Sequence, residues 1–270
     1  MADSYRLIQG TKPILVSIPH NGFEIPEDIS ATMNESALSS IDTDWHLDRL
    51  YQFAVEAGYS VLVPRFSRYV VDLNRPENDE NLYPGSDTTG LCPINRFDFS
   101  PLYKEGSEPD QNEIDRRVEL YWRPYHSSLK AELDRISEQH GFVLLFEAHS
   151  IKSEVPRFFA GKLADFNFGN NNGDSCGNYL LELIKEWREE PYSKVINGRF
   201  KGGYITRAYG AGGEKVESLQ LELSQATYMD EDSLSYDEEL AQQVIPKLKS
   251  MCQIFEEYCQ SRIRELNAAS

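Results

Sequence analysis

The sequence has little that would place it in a membrane or an oxidising compartment. It contains no hydrophobic run long enough to span a bilayer, and its N-terminus lacks the charged start and apolar core of a signal peptide. Its cysteines are few and scattered, without a CxxC pair: Cys92, Cys176, Cys252 and Cys259. We therefore expect a soluble, cytoplasmic protein whose cysteines are free thiols.

Positive charge is also scarce. Lysine and arginine number 27 against 44 aspartates and glutamates, which gives a formal net charge of −17. Such a surface repels phosphates, so nucleic acid binding is excluded as a function class. A small anionic ligand would need a locally positive pocket within this negative field. Arginines near strand ends are therefore candidates for ligand binding.

The chain is long enough for one large core and shows no linker, so residues 1–270 are predicted to form a single domain. Strands alternate with helices, which favours an α/β fold with a sheet covered by helices on both faces. Strands are predicted at 14–18, 60–63, 69–73, 142–146, 204–206 and 218–223. Helices are predicted from a Thr43 N-cap to about Gly58, over 112–139 with a break at Pro124, over 179–187 and over 236–266.

The polar stretch 77–101 is long for a loop, and loops of this length are usually functional or mobile.

Two of the five histidines, His20 and His149, come directly after predicted buried strands. Ligands of α/β sheets bind at the carboxyl ends of strands, and two imidazoles there can hold a metal ion. Each histidine taken singly is more often a capped or surface residue than a metal ligand. A catalytic zinc also needs a third protein ligand, for which the segment 42–46 and Glu24 offer candidates. Helix capping and the helix dipole explain Asp42 and Asp44 equally well, so the choice stays open at this point.

Arginines and one glutamate complete the set of candidate residues. Arg75 follows Asn74 after a predicted strand, and Arg207 precedes the glycine-rich segment 209–213. An arginine fork can grip a carboxylate, although a surface ion pair is the competing interpretation. Alternation places Glu222 on the strand face opposite its leucine neighbours, where it is either solvent-exposed or a general base beside a metal site.

Taken together, several ordered segments resemble the N-formylglutamate amidohydrolase family. They span most of the chain: SIPHNG (17–22), DTDWHLDRLY (42–51), VDLNRP (71–76), EAHS (147–150), DFNFG (165–169), NGRFKGGYITR (197–207) and LELSQ (221–225). The resemblance implies a fold like that of zinc carboxypeptidases, which is a twisted mixed sheet with helices on both sides.

The resemblance also implies roles. His20 and His149 are expected to bind zinc, and Asn74 with Arg75 to hold the substrate α-carboxylate. Carboxypeptidases place their acidic ligand three residues after the first histidine, where this chain has Phe23. Asp44 is chosen in its place over Asp42 and Glu24, with Glu147 expected to support the ligands from behind.

Glu222 is expected to act as the general base, and Arg207 to stabilise the oxyanion. Arg207 and Arg157 are both candidates for binding the side-chain carboxylate. The implied reaction is zinc-dependent hydrolysis of N-formyl-L-glutamate to formate and L-glutamate, which would serve histidine degradation. Two alternatives remain: an amidohydrolase for another N-acyl amino acid or small acidic peptide, and a non-catalytic binder of acidic metabolites.

Overall fold

A mixed sheet of seven strands forms the centre of the molecule, seen in a computed structural model that describes residues 4–82, 85, 87–210 and 215–269. The strands are β1 (Tyr5–Ile8), β2 (Ile14–Ser17), β3 (Ser60–Pro64), β4 (Val143–Ile151), β5 (Phe166–Gly169), β6 (Lys194–Ile196) and β7 (Val216–Ser224). Their order is β1-β3-β2-β4-β7-β5-β6. The central strands β3, β2, β4 and β7 are parallel, whereas β1 and β5 run antiparallel to β3 and β7.

Helices cover both faces of this sheet. They are α1 (Glu27–Ser30), α2 (Leu47–Leu50), α3 (Gln52–Glu56), α4 (Gln111–Arg117), α5 (Arg123–His140), α6 (Asn178–Glu186), α7 (Tyr204–Gly210) and α8 (Glu238–Ala269); a small hairpin, β8 (Met229–Asp230) with β9 (Ser235–Tyr236), precedes α8. Because side chains alternate along a strand, Leu144 and Phe146 pack with α2, α3, α6 and α8, while Leu145 packs with α5 and α7. The predicted three-layer α/β fold is confirmed.

The long helical segment breaks where the sequence predicted. Val118–Trp122 forms a π-helical turn between α4 and α5, and Pro124 follows as the second residue of α5. Proline has no backbone N–H to donate to the preceding turn, and a wider turn is one way to accommodate it. Helix α5 then ends at Gly141, whose φ of 82° suits glycine. The expectation of free cysteines is confirmed too, since all four are buried and unpaired in disulfides.

Three local predictions are wrong. Residues 69–73 are not a strand, because the free edge of β3 pairs with β1 and the N–H of Asp72 bonds instead to Leu91. Residues 204–206 begin helix α7 rather than a strand. Thr43 does not cap a helix, since α2 starts after His46 in a left-handed conformation. Of the predicted glycine-rich segment, 211–213 lie outside the described residues.

In the part of the chain that the structure describes, no helix is long and apolar enough to cross a membrane.

Candidate metal centre and active site

The candidate site lies at the carboxyl ends of β4 and β7. These strands are parallel neighbours, and His149 pairs in register with Glu222. Glu147 and His149 alternate with the apolar residues of β4 that pack on α8, so they point to the other face, which α5 and α7 cover. Strand β4 continues to Ile151, which places His149 inside the strand rather than after it.

A turn after β2 brings His20 and Asp44 to the same edge. The carbonyl of His20 accepts a hydrogen bond of 3.0 Å from the backbone N–H of Asp44. The Asp44 carboxylate extends to β4, where its Oδ2 accepts a hydrogen bond of 3.0 Å from the Ser150 N–H. His20, Asp44 and His149 are all buried. Their positions are therefore fixed by backbone contacts between three separate parts of the chain.

His20, Asp44 and His149 form a cluster that could bind a metal ion. One ligand atom from each lies within 4.8 Å of the others. Asp44 Oδ2 is 3.1 Å from His149 Nδ1 and 3.8 Å from His20 Nδ1. The opposite ring nitrogens are held by carboxylates, His20 Nε2 by Asp72 and His149 Nε2 by Glu147, each at 2.6 Å. Metal-binding histidines are oriented in this manner, so the residues fit a divalent metal.

The carboxylates behind the histidines are themselves anchored. Burial opposes the charge of Asp72, but Arg68, 2.6 Å away, and His20 hold its pKa well below the usual range. Glu147 also accepts a hydrogen bond from the Thr206 hydroxyl on α7. A fixed negative charge behind each imidazole keeps its outer nitrogen protonated and the inner one directed at the cluster.

The two histidines differ in proton affinity when the cluster holds no cation. Burial and the charge of Arg68 lower the pKa of His20. Burial also disfavours the charged form of His149, but Glu147 and Asp44 outweigh it and raise its pKa well above the ordinary value. A proton on His149 and a metal ion would compete for the same carboxylate-rich position.

The other candidate acidic ligands lie elsewhere. Asp42 accepts hydrogen bonds from the Tyr69 hydroxyl at 2.6 Å and the Phe97 N–H at 2.9 Å. Glu24 forms an exposed ion pair with Arg65 at 2.8 Å. The structure therefore brings Asp44, and neither alternative, to the two histidines.

Glu222 lies in the same cavity as this cluster. The cavity contains His20, Asp44, Arg68, Asn74, Arg75, His149, Arg199, Gln220 and Glu222 in its lining. Burial raises the pKa of Glu222 to about 8, although the positive charge of His149 opposes this rise. Within the described residues, no hydrogen bond reaches its carboxylate, which leaves that group available to a ligand in the cavity.

Asn74 and Arg75 both line the cavity, but Asn74 is hydrogen-bonded to a neighbouring segment and Arg75 has no ion-pair partner among the described residues. Asn74 Oδ1 accepts a hydrogen bond of 2.9 Å from the N–H of Ile205, and its Nδ2 lies 3.0 Å from His149 Nε2. Asn74 therefore lies between α7 and the histidine cluster. Gly203 permits this contact, because a Cβ there would lie 2.3 Å from Asn74 Nδ2. Arg75 lines the cavity, and none of the described residues forms an ion pair with it.

The remaining two predicted residues do not line the cavity. Arg157 forms a two-point ion pair with Asp87, at 2.9 and 3.1 Å, and donates to the Arg96 carbonyl. Arg207 Nε donates to the Gly202 carbonyl at 2.9 Å. Among the described residues, two arginines besides Arg75 line the cavity, Arg68 and Arg199, and the sequence predicted no role for either.

Comparisons with known proteins agree with this architecture. Residues 12–229 match the family model described as N-formylglutamate amidohydrolase. The chain is 48% identical over 248 residues to an N-formylglutamate deformylase of Pseudomonas putida, covering 91% of this chain and 92% of that protein. A relative of the same name from Pseudomonas aeruginosa is 47% identical over 237 residues, covering 87% and 89%.

A solved structure has the same fold. The crystal structure of an N-formylglutamate amidohydrolase from Ralstonia eutropha JMP134 superposes with a TM-score of 0.79 at 26% identity. The match covers 96% of this chain and 99% of that one.

Proposed function

This chain belongs to the N-formylglutamate amidohydrolase family, and on that premise we propose that it hydrolyses N-formyl-L-glutamate to formate and L-glutamate. The observation that carries the proposal is the similarity to the two deformylases along nearly the whole chain. The cavity adds groups that amide hydrolysis needs: a cluster that could bind a metal, a buried carboxylate, and two arginines without an ion-pair partner among the described residues.

His20, Asp44 and His149 would hold one divalent metal ion, and zinc suits a set of two imidazoles and one carboxylate. When bound, the ion would lower the pKa of a water molecule and polarise the formyl carbonyl. Asp72 and Glu147 keep the two imidazoles in the orientation that this binding requires.

Glu222 is the general base in this proposal. It accepts a proton from the attacking water and returns it to the amine nitrogen of glutamate, which becomes the leaving group. A base must be ionised to start this sequence. Burial raises the pKa of Glu222 to about 8, and the charge of a bound divalent cation would lower it.

Arg75 binds the α-carboxylate in this proposal, as the resemblance implies, and Asn74 positions it. The guanidinium of Arg75 lines the cavity without an acidic partner among the described residues, so an anionic substrate can take that place. The neighbouring amide of Asn74 fixes the local backbone through α7.

The test measures the free amino acid that the purified protein releases from a panel of N-formyl and N-acetyl amino acids. We expect N-formyl-L-glutamate to give the highest kcat/KM and N-acetyl-L-glutamate to react much more slowly. Formate release from other N-formyl amino acids but not from N-formyl-L-glutamate would contradict the proposed substrate.

A further inference from the structure

We propose that Arg199 binds the side-chain carboxylate of the substrate and thereby makes the enzyme selective for acidic N-formyl amino acids. The inference rests on the proposed function and adds the residue that binds the side-chain carboxylate of the substrate. It replaces Arg157 and Arg207, which the sequence suggested for this task.

The charges along the cavity wall support this assignment. Three arginines line the cavity, and Arg68 is already paired with Asp72 at 2.6 Å. Neither Arg75 nor Arg199 forms an ion pair with any described residue, in a chain where acids outnumber bases 44 to 27. An unpaired guanidinium in a partly buried cavity attracts an anion. Two such groups match the two carboxylates of N-formylglutamate.

A backbone contact positions the guanidinium of Arg199 and leaves its two terminal nitrogens available to a ligand. Its Nε donates a hydrogen bond of 2.6 Å to the carbonyl of Phe158, which fixes the plane of the guanidinium. Within the described residues, the two terminal nitrogens of Arg199 have no hydrogen-bond acceptor. They can therefore bind one carboxylate through two parallel hydrogen bonds, the geometry in which arginine is strongest.

Aromatic rings beside Arg199 suit the methylenes of glutamate. The guanidinium carbon lies 5.9 Å from the ring centre of Phe158 and 5.6 Å from that of Phe200. Both rings line the cavity together with Arg199. A glutamate side chain has two apolar methylenes ending in a charge, and this wall offers apolar surface ending in a guanidinium.

The other two candidates, Arg157 and Arg207, are less suited to bind the side-chain carboxylate. The Arg157 guanidinium is satisfied by Asp87 and a backbone carbonyl, and it contacts the exposed ring of Phe99 outside the cavity lining. Arg207 is directed to the Gly202 carbonyl, and it too is absent from the cavity lining. Binding substrate through either would require the loss of contacts that Arg199 does not have to break.

The experiment compares N-formyl-L-glutamate with N-formyl-L-glutamine, which has the same shape without the charge. We expect Arg199→Gln to lower kcat/KM for N-formyl-L-glutamate about 10- to 100-fold, through KM rather than kcat. The value for N-formyl-L-glutamine should change less than about threefold, since no charge is lost there. Arg199→Lys keeps the charge but not the fork, and should fall between wild type and Arg199→Gln.

Controls separate this role from a structural one. Arg264→Gln makes the same change at an exposed position on α8 and should leave both substrates unaffected. Bound metal and the melting temperature of Arg199→Gln should match those of the wild type.

Equal losses on both substrates, or an unchanged preference for glutamate, would overturn the assignment of Arg199 while leaving the proposed function intact. A wild-type protein that does not release formate from N-formyl-L-glutamate would overturn the proposed function, and this inference with it.

Discussion

The two halves of the cavity are built in opposite ways. In the half that contains the candidate metal cluster, His149 lies on a central strand, a backbone hydrogen bond joins Asp44 to His20, and a carboxylate fixes each imidazole. In the arginine-lined half, Arg75 and Arg199 lie on irregular segments, and their charges have no acidic partner among the described residues.

The difference follows from what each half has to do. A catalytic group must be in position before the substrate arrives, and packing together with hydrogen bonds supplies that order. A group that recognises an anion must leave its hydrogen-bonding capacity free until the anion binds. Changes in the first half should therefore act on kcat and on metal binding, and changes in the second half on KM.

The largest effect is expected at Glu222. Glu222→Gln keeps the shape of the side chain but removes the base, so kcat should fall about 10²- to 10⁴-fold while bound metal and KM change little. Steady-state kinetics and metal analysis measure these quantities. Glu186→Gln, at an exposed position on α6, is the matched control. Near-native turnover by Glu222→Gln would show that another group acts as the base.

The next largest effect is expected at Asp44. Comparing it with Asp42 tests which of the two aspartates is the metal ligand. Asp44→Asn removes the charged ligand from the cluster, so metal affinity should fall by more than the roughly 10- to 100-fold cost of losing an outer partner. Asp42→Asn should retain metal, because its contacts are to Tyr69 and Phe97. Competition with a coloured chelator gives both affinities. The opposite ranking of the two variants would place the ligand at Asp42.

A smaller effect in the same half is expected at Asp72, which contacts His20 and is not one of the three proposed metal ligands. Asp72→Asn removes the charge behind the imidazole and leaves Arg68 without its partner, so metal affinity should fall about 10- to 100-fold. Saturating zinc should restore most of the turnover. Loss of turnover that zinc cannot restore would indicate that Asp72 acts on the substrate instead.

The smallest effect is expected in the arginine-lined half. Arg75→Gln should raise KM for N-formyl-L-glutamate about 10-fold or more with kcat within about threefold of wild type, because a binding contact is lost. Metal content should not change. A fall in kcat at constant KM would contradict the separation of the two halves.

The sequence predicted these halves unequally well. Buried strands leave a strong hydrophobic signal, so the strands that carry His149 and Glu222 were predicted, and the structure brings His149 together with His20 and Asp44. Strands β1, β5 and β6 were not predicted. They are short, and none has a continuous apolar run along its length.

The arginine-lined half was harder to predict for a physical reason. Arg199 lies in a segment without helical or strand periodicity, and its place in the cavity depends on a contact with the distant carbonyl of Phe158. Arg207 was favoured because 204–206 resembled a strand, but Asn74 bonds to the Ile205 N–H and the segment turns into α7. Contacts between distant segments decide which arginines face the substrate, and no local pattern records them.

The most direct test of the account is formate release by the purified protein after treatment with a chelator, with zinc then added back while bound zinc is measured. The account predicts that activity disappears with the metal and returns in proportion to zinc, reaching its maximum at about one ion for each chain. Full activity in protein free of divalent metal would contradict the role given to His20, Asp44 and His149.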